Sequence, residues 1–165
     1  MSKLTPASEL SRRLADAMRP TVTADTVLIG IHTGGVWIAE RLHEVLGIKA
    51  PMGSIDVSYH RDDLHMGGGR HGGRASQLPF DVEGAHVVIV DDVLATGRTI
   101  RAAMNELFDY GRPAKIDLAV LVDRGGRELP IAATWCGEAL TLPASQMLEL
   151  TKDEQGDLAF RVTEK

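Results

Sequence analysis

VVIVDDVLATGRT, residues 87–99, is the stretch that decides the fold. Four successive β-branched residues, Val87 to Val90, predict a strand buried on both faces. The run ends directly in two acids, Asp91 and Asp92. The turn that follows, LATGR, precedes a helical pattern, and a strand-to-helix turn offers free backbone N–H groups and a helix dipole to a phosphate. Gly97 permits close approach of the backbone, while Thr96 and Thr99 add hydroxyl donors. A phosphate alone would be repelled by the two acids. Ionised carboxylates only accept hydrogen bonds, so the conflict vanishes for a ligand carrying its phosphate at one end and neutral hydroxyl groups a short distance away. Ribose 5-phosphate meets both demands.

Outward from this stretch, the chain alternates strand and helix patterns. Thr5-Pro6 reads as a cap and first turn, with Leu10, Leu14 and Met18 at helical spacing until Pro20. VLIGI (27–31) predicts a buried strand, followed by the turn HTGG and a helix with Ile38, Leu42, Val45 and Leu46 on one face, closed by Gly47 in a left-handed conformation. GSIDVSY (53–59) reads as a further strand. After VVIV comes a helix with Ile100, Met104, Leu107 and Phe108 on one face, ended by Gly111 and Pro113; IDLAVLV (116–122) and ATWCG (133–137) complete the strands. This order predicts an α/β fold, a doubly wound, mainly parallel sheet of about five strands flanked by helices, whose ligands sit beyond the carboxyl ends of the strands. Residues 1–165 are expected to form a single domain. Residues 65–77, HMGGGRHGGRASQ, hold too few apolar side chains to pack and are expected to be a flexible loop.

Composition narrows the function classes. A hydrophobic fraction of 44% with a single cysteine, Cys136, excludes a disulfide scaffold, and no apolar stretch reaches the roughly 18 residues of a membrane span. No secretory signal is visible, so the cytoplasm is the expected location. A net charge of −5 argues against broad nucleic-acid binding, although Arg12, Arg13 and Arg19 cluster near the N-terminus. GGGRHG (67–72) satisfies a dinucleotide fingerprint in letters only, since no strand precedes it and no helix follows. His65 and His71 lack the carboxylate or thiol company of a metal site. Met104, Trp37, Trp135 and Cys136 read as packing residues.

The segment 87–99 closely resembles the signature of the type I phosphoribosyltransferases: four apolar residues, two acids, two apolar residues and a Thr/Gly-rich phosphate loop. SYHRDDL (58–64), DYGRPAKIDLAVLVDRGGRELPI (109–131) and GIHTGGVWIAERL (30–42) extend the likeness to the PyrR family, bifunctional pyrimidine operon regulators and uracil phosphoribosyltransferases. The resemblance implies transfer of the ribose phosphate of 5-phosphoribosyl 1-diphosphate (PRPP) to uracil, giving UMP and diphosphate, with Mg²⁺ held mainly by the substrate and by no protein ligand directly. It implies that Asp91, Asp92, Val93, Leu94, Ala95, Thr96, Gly97, Arg98 and Thr99 bind the ribose phosphate, with Asp91, Asp92 and Arg61 catalytic. Thr33, Gly34 and Gly35 would form the pyrophosphate loop. Tyr59, Asp62, Asp63, Arg70 and Arg74 would belong to the flexible loop over the active site, and Val122, Asp123 and Arg124 to the base site.

The alternative that the resemblance implies is a uridine-nucleotide-sensing regulator of pyrimidine genes that binds RNA and has little or no transferase activity, and here the chain departs from the pattern. Gly34 stands where the family typically has arginine, and Glu138 stands where it has lysine. Both differences remove positive charge from a surface that would track phosphates. A homodimer or higher homo-oligomer is the expected assembly.

Overall fold

The structure, a computed structural model, describes residues 4–57 and 76–165. The expected site residues Tyr59, Arg61, Asp62, Asp63, Arg70 and Arg74, together with His65 and His71, lie outside the described residues. Of the expected loop 65–77 only Ser76 and Gln77 fall within them. Gln77 pairs with Ser54 through two backbone hydrogen bonds of 2.8 and 2.9 Å, and the Ser76 hydroxyl donates to Glu106.

Five strands, β1 (Val27–Ile31), β2 (Gly53–Ile55), β3 (His86–Leu94), β4 (Lys115–Asp123) and β5 (Trp135–Ala139), form one parallel sheet in the order β2-β1-β3-β4-β5. The alternation of side chains across the pleat divides the core cleanly. Leu28, Val88, Val90, Ala119 and Leu121 face one layer, packed by α1 (Ala7–Met18) and α2 (Gly34–Leu46). Ile29, Ile31, Val87, Ile89 and Val120 face the other, packed by α3 (Arg98–Phe108). A central strand covered on both faces must be apolar throughout, which is why VVIV has no alternation. An antiparallel hairpin, β6 (Gln146–Lys152) and β7 (Leu158–Glu164), adds Leu148, Leu150 and Leu158 to the first layer.

Several expectations need correction. β3 continues past Val90 through both acids to Leu94, because β4 is equally long and pairs with it in register as far as Leu94↔Asp123. The strand expected over 53–59 is only three residues long within the described part. The last sheet strand starts two residues later than expected, at Trp135. Thr5 does not cap α1. Pro6 holds the cap position, its carbonyl accepting from Glu9 and Leu10, and the Thr5 hydroxyl donates to Glu138 at 3.1 Å. In α2, Val45 points to solvent, and in α3 so does Phe108, both 54% exposed. Ala39 and Ala103 occupy the buried stripes instead, since small side chains let each helix approach the sheet. Gly47 does take the left-handed cap, with φ of 65°. No helix among the described residues is long and apolar enough to cross a membrane.

Candidate active site

The sheet order reverses between β1 and β3, so the turns leaving those two strands part to opposite faces and open a crevice between them. Both expected ligand loops line that crevice. β1 leads through a cis His32–Thr33 peptide into Gly34 and Gly35, the first two residues of α2. β3 ends at Leu94, and Ala95, Thr96 and Gly97 turn the chain into α3.

Asp91 is 7% exposed, and Asp92 is half-buried. Each carboxylate accepts from the next backbone N–H: Asp92 N donates to Asp91 Oδ1 at 2.9 Å, and Val93 N to Asp92 Oδ1 at 2.8 Å. The first turn of α2 presses directly on them. A Cβ on Gly34 would collide with the Asp92 carboxylate, and one on Gly35 would collide with the Val90 carbonyl oxygen while lying 3.3 Å from Asp91 Oδ1. Two glycines in succession are thus what lets a helix N-terminus sit against two carboxylates.

The phosphate loop is braced by its own side chains and by the segment after β4. Thr96 Oγ1 accepts from Arg98 N at 3.2 Å. Gly97, with φ of 94°, is the residue before α3, in a backbone conformation that side chains rarely adopt. The Thr96 carbonyl accepts from Glu128 N at 2.9 Å and Leu129 N at 3.2 Å, and Arg98 Nε donates to Glu128 at 2.8 Å. Val122, Asp123 and Arg124 follow at the end of β4, where Arg124 N donates to the Leu94 carbonyl at 3.0 Å.

The side chains at that strand end do different work from what their neighbourhood in sequence suggests. Asp123 pairs with Arg127, not Arg124: Arg127 Nη1 meets Oδ1 at 2.9 Å and Nη2 meets Oδ2 at 2.5 Å. That fork, with a weaker contribution from Gly125 N, outweighs burial and holds the Asp123 carboxyl below the usual range. Arg124 instead reaches the carbonyls of Leu142, Pro143 and Gln146, fastening the segment that leads into β6. Its backbone, rather than its guanidinium, faces the crevice loops. Arg127 is the site residue that sequence reasoning missed. Gly125-Gly126 signals a break after β4, but nothing in the pattern says that the break turns Arg127 back onto Asp123.

Glu138 lies on β5 opposite Val122 and accepts from Thr5. Cys136, beside it, has its thiol pushed up by burial, and its Sγ lies 3.1 Å from the Glu138 carbonyl. Among the described residues no group of three or more His, Cys, Asp or Glu side chains could hold a metal ion. Two adjacent carboxylates beside a phosphate loop do suit a hard cation that keeps its waters and takes most of its ligands from substrate oxygens.

The comparisons with known proteins fall in line with this geometry. The model of the phosphoribosyl transferase domain family matches residues 5–138. The chain is 47% identical over 170 residues to the bifunctional protein PyrR of Pseudomonas putida, covering 98% of each chain. It is 49% identical over 144 residues to the Pseudomonas fluorescens protein of the same name, covering 87% of this chain and 86% of that one. Among solved structures, the hypoxanthine phosphoribosyltransferase of Trypanosoma cruzi in complex with IMP superposes with a TM-score of 0.65 at 23% identity, covering 94% of this chain and 91% of that one. A hypoxanthine-guanine phosphoribosyltransferase from Bacillus anthracis gives 0.65 at 16% identity, with 86% and 82% covered. At those identities the two structures speak for the fold alone.

Proposed function

This chain belongs to the phosphoribosyl transferase family and, within it, to the PyrR proteins, and from that premise we propose that it is a uracil phosphoribosyltransferase making UMP and diphosphate from uracil and PRPP. One observation carries the reading: a strand that carries Asp91 and Asp92 near its end, followed by a Thr/Gly turn into a helix, stands opposite a glycine-opened helix N-terminus at the switch point of the sheet. The backbone amides of 95–99 and the hydroxyls of Thr96 and Thr99 take the 5-phosphate. The carboxylates of Asp91 and Asp92 accept from the ribose hydroxyls. Thr33, Gly34 and Gly35 place the start of α2 at the diphosphate, whose negative charge the helix dipole favours.

In the reaction, N1 of uracil forms a bond to C1 of the ribose as the bond from C1 to the diphosphate oxygen breaks. The N1 proton is given up, and the bonding pair leaves with the diphosphate. Positive character develops on the sugar ring between bond breaking and bond making. Carboxylates fixed beside the ribose stabilise that charge, and fixed positions for the two reactants lower the barrier further. Mg²⁺, held mainly by substrate oxygens with Asp91 and Asp92 nearby, neutralises charge on the diphosphate when bound. The base sits at the end of β4, where the backbone of Val122, Asp123 and Arg124 offers both donors and acceptors to the uracil edge.

RNA binding under uridine-nucleotide control is a second role that the relatives' bifunctional name favours. The net charge of −5, Gly34 in place of a cation, and Glu138 turned toward Thr5 weigh against it. A homodimer or higher homo-oligomer in the cytoplasm is part of the same reading. The deciding experiment is diphosphate release from PRPP and Mg²⁺ in the presence of uracil, orotate, hypoxanthine or guanine. Release with uracil alone is expected. Release with a purine but not uracil would overturn the base assignment, and no release with any base would overturn the transferase reading.

A further inference from the structure

The one guanidinium of Arg127 joins two neighbours four residues away on either side, Asp123 and Ile131, to Ala95, which is 32 residues away in the chain. It forks onto both carboxylate oxygens of Asp123 at the end of β4, donates from Nη1 to the Ala95 carbonyl at 2.9 Å in the phosphate loop, and donates from Nε to the Ile131 carbonyl at 2.6 Å. Residues 124–131 thereby fold back over the phosphate loop as a clasp. Its backbone contacts, from Arg124, Glu128 and Leu129, reach the Leu94 and Thr96 carbonyls. Its apolar end, Ile131, would lie 3.0 Å from any Cβ on Gly97. Among the described residues, Arg127 alone ties Asp123, Ala95 and Ile131 through a single rigid group. The planar fork admits little slack, which an ammonium on a flexible stem cannot reproduce.

We propose that Arg127 is a positioning residue for the transfer, setting the separation between the phosphate loop and the base-side end of β4. This inference rests on the transferase reading above, in which 95–99 hold the phosphate and 122–124 hold the base. With the two reactants bound to segments that the strand ladder and backbone bonds already hold side by side, the Arg127 fork sets the remaining freedom in the distance between N1 of the base and C1 of the ribose. Arg127 touches neither reactant. Loss of the fork frees the Ala95 carbonyl and lets the loop amides swing away from their common focus.

The test uses Arg127→Gln, Arg127→Lys and Asp123→Asn in the full-length chain, each compared with wild type at matched folded fraction. Steady-state kinetics should show kcat for Arg127→Gln falling about 100-fold, the scale on which a displacement near 1 Å acts, with Arg127→Lys recovering only part of it. Two further readouts are independent of turnover: titration with ribose 5-phosphate alone, and hydrogen exchange at residues 94–99. The Gln variant should bind ribose 5-phosphate about tenfold more weakly, the loss of one or two well-aimed donors, and exchange faster in that loop. If wild type transfers to no base, the functional reading fails while these two readouts still judge the clasp. Unchanged ribose 5-phosphate affinity together with unchanged exchange at 94–99 would overturn the proposal. So would equal kinetics in all variants. Should Arg127→Gln fail to fold, Arg127→Lys and Asp123→Asn carry the same measurements with the same expected direction.

Discussion

Replacing Gly35 by alanine adds one methyl group where the first turn of α2 meets the end of β3. The new Cβ would overlap the Val90 carbonyl oxygen and lie 3.1 Å from Asp91 Cα. Both neighbours are backbone in a strand whose Val90 is completely buried, so neither can rotate aside. Restoring an ordinary contact of about 3.5 Å requires α2 to withdraw from β3 by on the order of 1 Å. Overpacking of this kind costs roughly 1–3 kcal/mol of stability. The larger effect is expected on activity, because the start of α2 is the proposed pyrophosphate loop and rests against both carboxylates. A shift near 1 Å at reacting groups costs about 100-fold in rate, or about 2.7 kcal/mol in the barrier. Gly47→Ala is the matched control: at φ of 65° it strains the backbone by roughly 1 kcal/mol, but its Cβ would meet nothing within 4 Å and it sits at the far end of α2. Thermal unfolding and steady-state transfer on both variants separate the two effects. Gly35→Ala is expected to lose both stability and turnover, and Gly47→Ala stability alone. Wild-type turnover in folded Gly35→Ala would refute the link between helix placement and the carboxylates.

Asp92→Asn and Asp91→Asn should each lower transfer by at least about tenfold without unfolding the protein, since an amide presents a donor where a ribose hydroxyl needs an acceptor; steady-state kinetics at matched thermal stability is the check, and full activity in either variant removes that residue from the site. At the opposite end of the central strands, burial pushes the Asp117 carboxyl up, but hydrogen bonds from His86 at 2.7 Å, Thr134 at 3.1 Å and Lys115 outweigh it and hold it below the ordinary value. A depressed folded-state value means stability that is present above the unfolded value of about 3.9 and lost as pH falls through the folded one, so denaturant unfolding below about pH 4 should be steeper with pH in wild type than in Asp117→Asn. Parallel profiles would show that the cluster contributes nothing to acid stability. Binding to structured leader RNA should be weak at physiological salt and fall steeply as salt rises, given the net charge of −5; tight, sequence-selective binding in a gel-shift titration would contradict this.

Much of the sheet was legible because its central strands are covered on both faces. Such strands must be continuous apolar runs, so VLIGI and IDLAVLV were legible almost to their ends, and VVIV marks the core of a strand that runs on through both acids to Leu94. The acids and the Thr/Gly turn were legible for a related reason: chemistry that conflicts with its surroundings stands out in a sequence. Helix faces were harder. Val45 and Phe108 fit the apolar periodicity yet point to solvent, while Ala39 and Ala103, which carry little hydrophobic signal, pack against the sheet. The hairpin of β6 and β7 was absent from the expected elements, although Leu148 and Leu150 alternate with exposed Met147 and Glu149. Its place in the fold depends on contacts that no local pattern encodes. Arg41 donates to the Gly156 carbonyl at 2.8 Å, and the Lys152 ammonium sits 5.6 Å from the Trp37 ring. Arg127 escaped notice for the same reason, since its partners Ala95 and Ile131 reveal themselves only when the chain is folded.

The pairing of two acids with an anion-binding turn, the conflict posed by residues 87–99, has its resolution in α2 rather than in β3. Two adjacent carboxylates at a buried strand end normally call for cations to offset the cost of burial. In this fold a helix N-terminus takes that part, admitted by Gly34 and Gly35, and the backbone amides of Asp92 and Val93 supply direct donors. Those donors belong to the strand itself and are in place before any ligand arrives. In the proposed reaction the same helix end would meet the diphosphate, so its dipole would act on protein and substrate charge together. Substituting either glycine by a residue with a side chain, even a basic one, disturbs the carboxylates sterically before any added charge can help. An arginine at position 34 requires Asp92 to move, which makes the glycine at this position part of how this chain sets its own carboxylates.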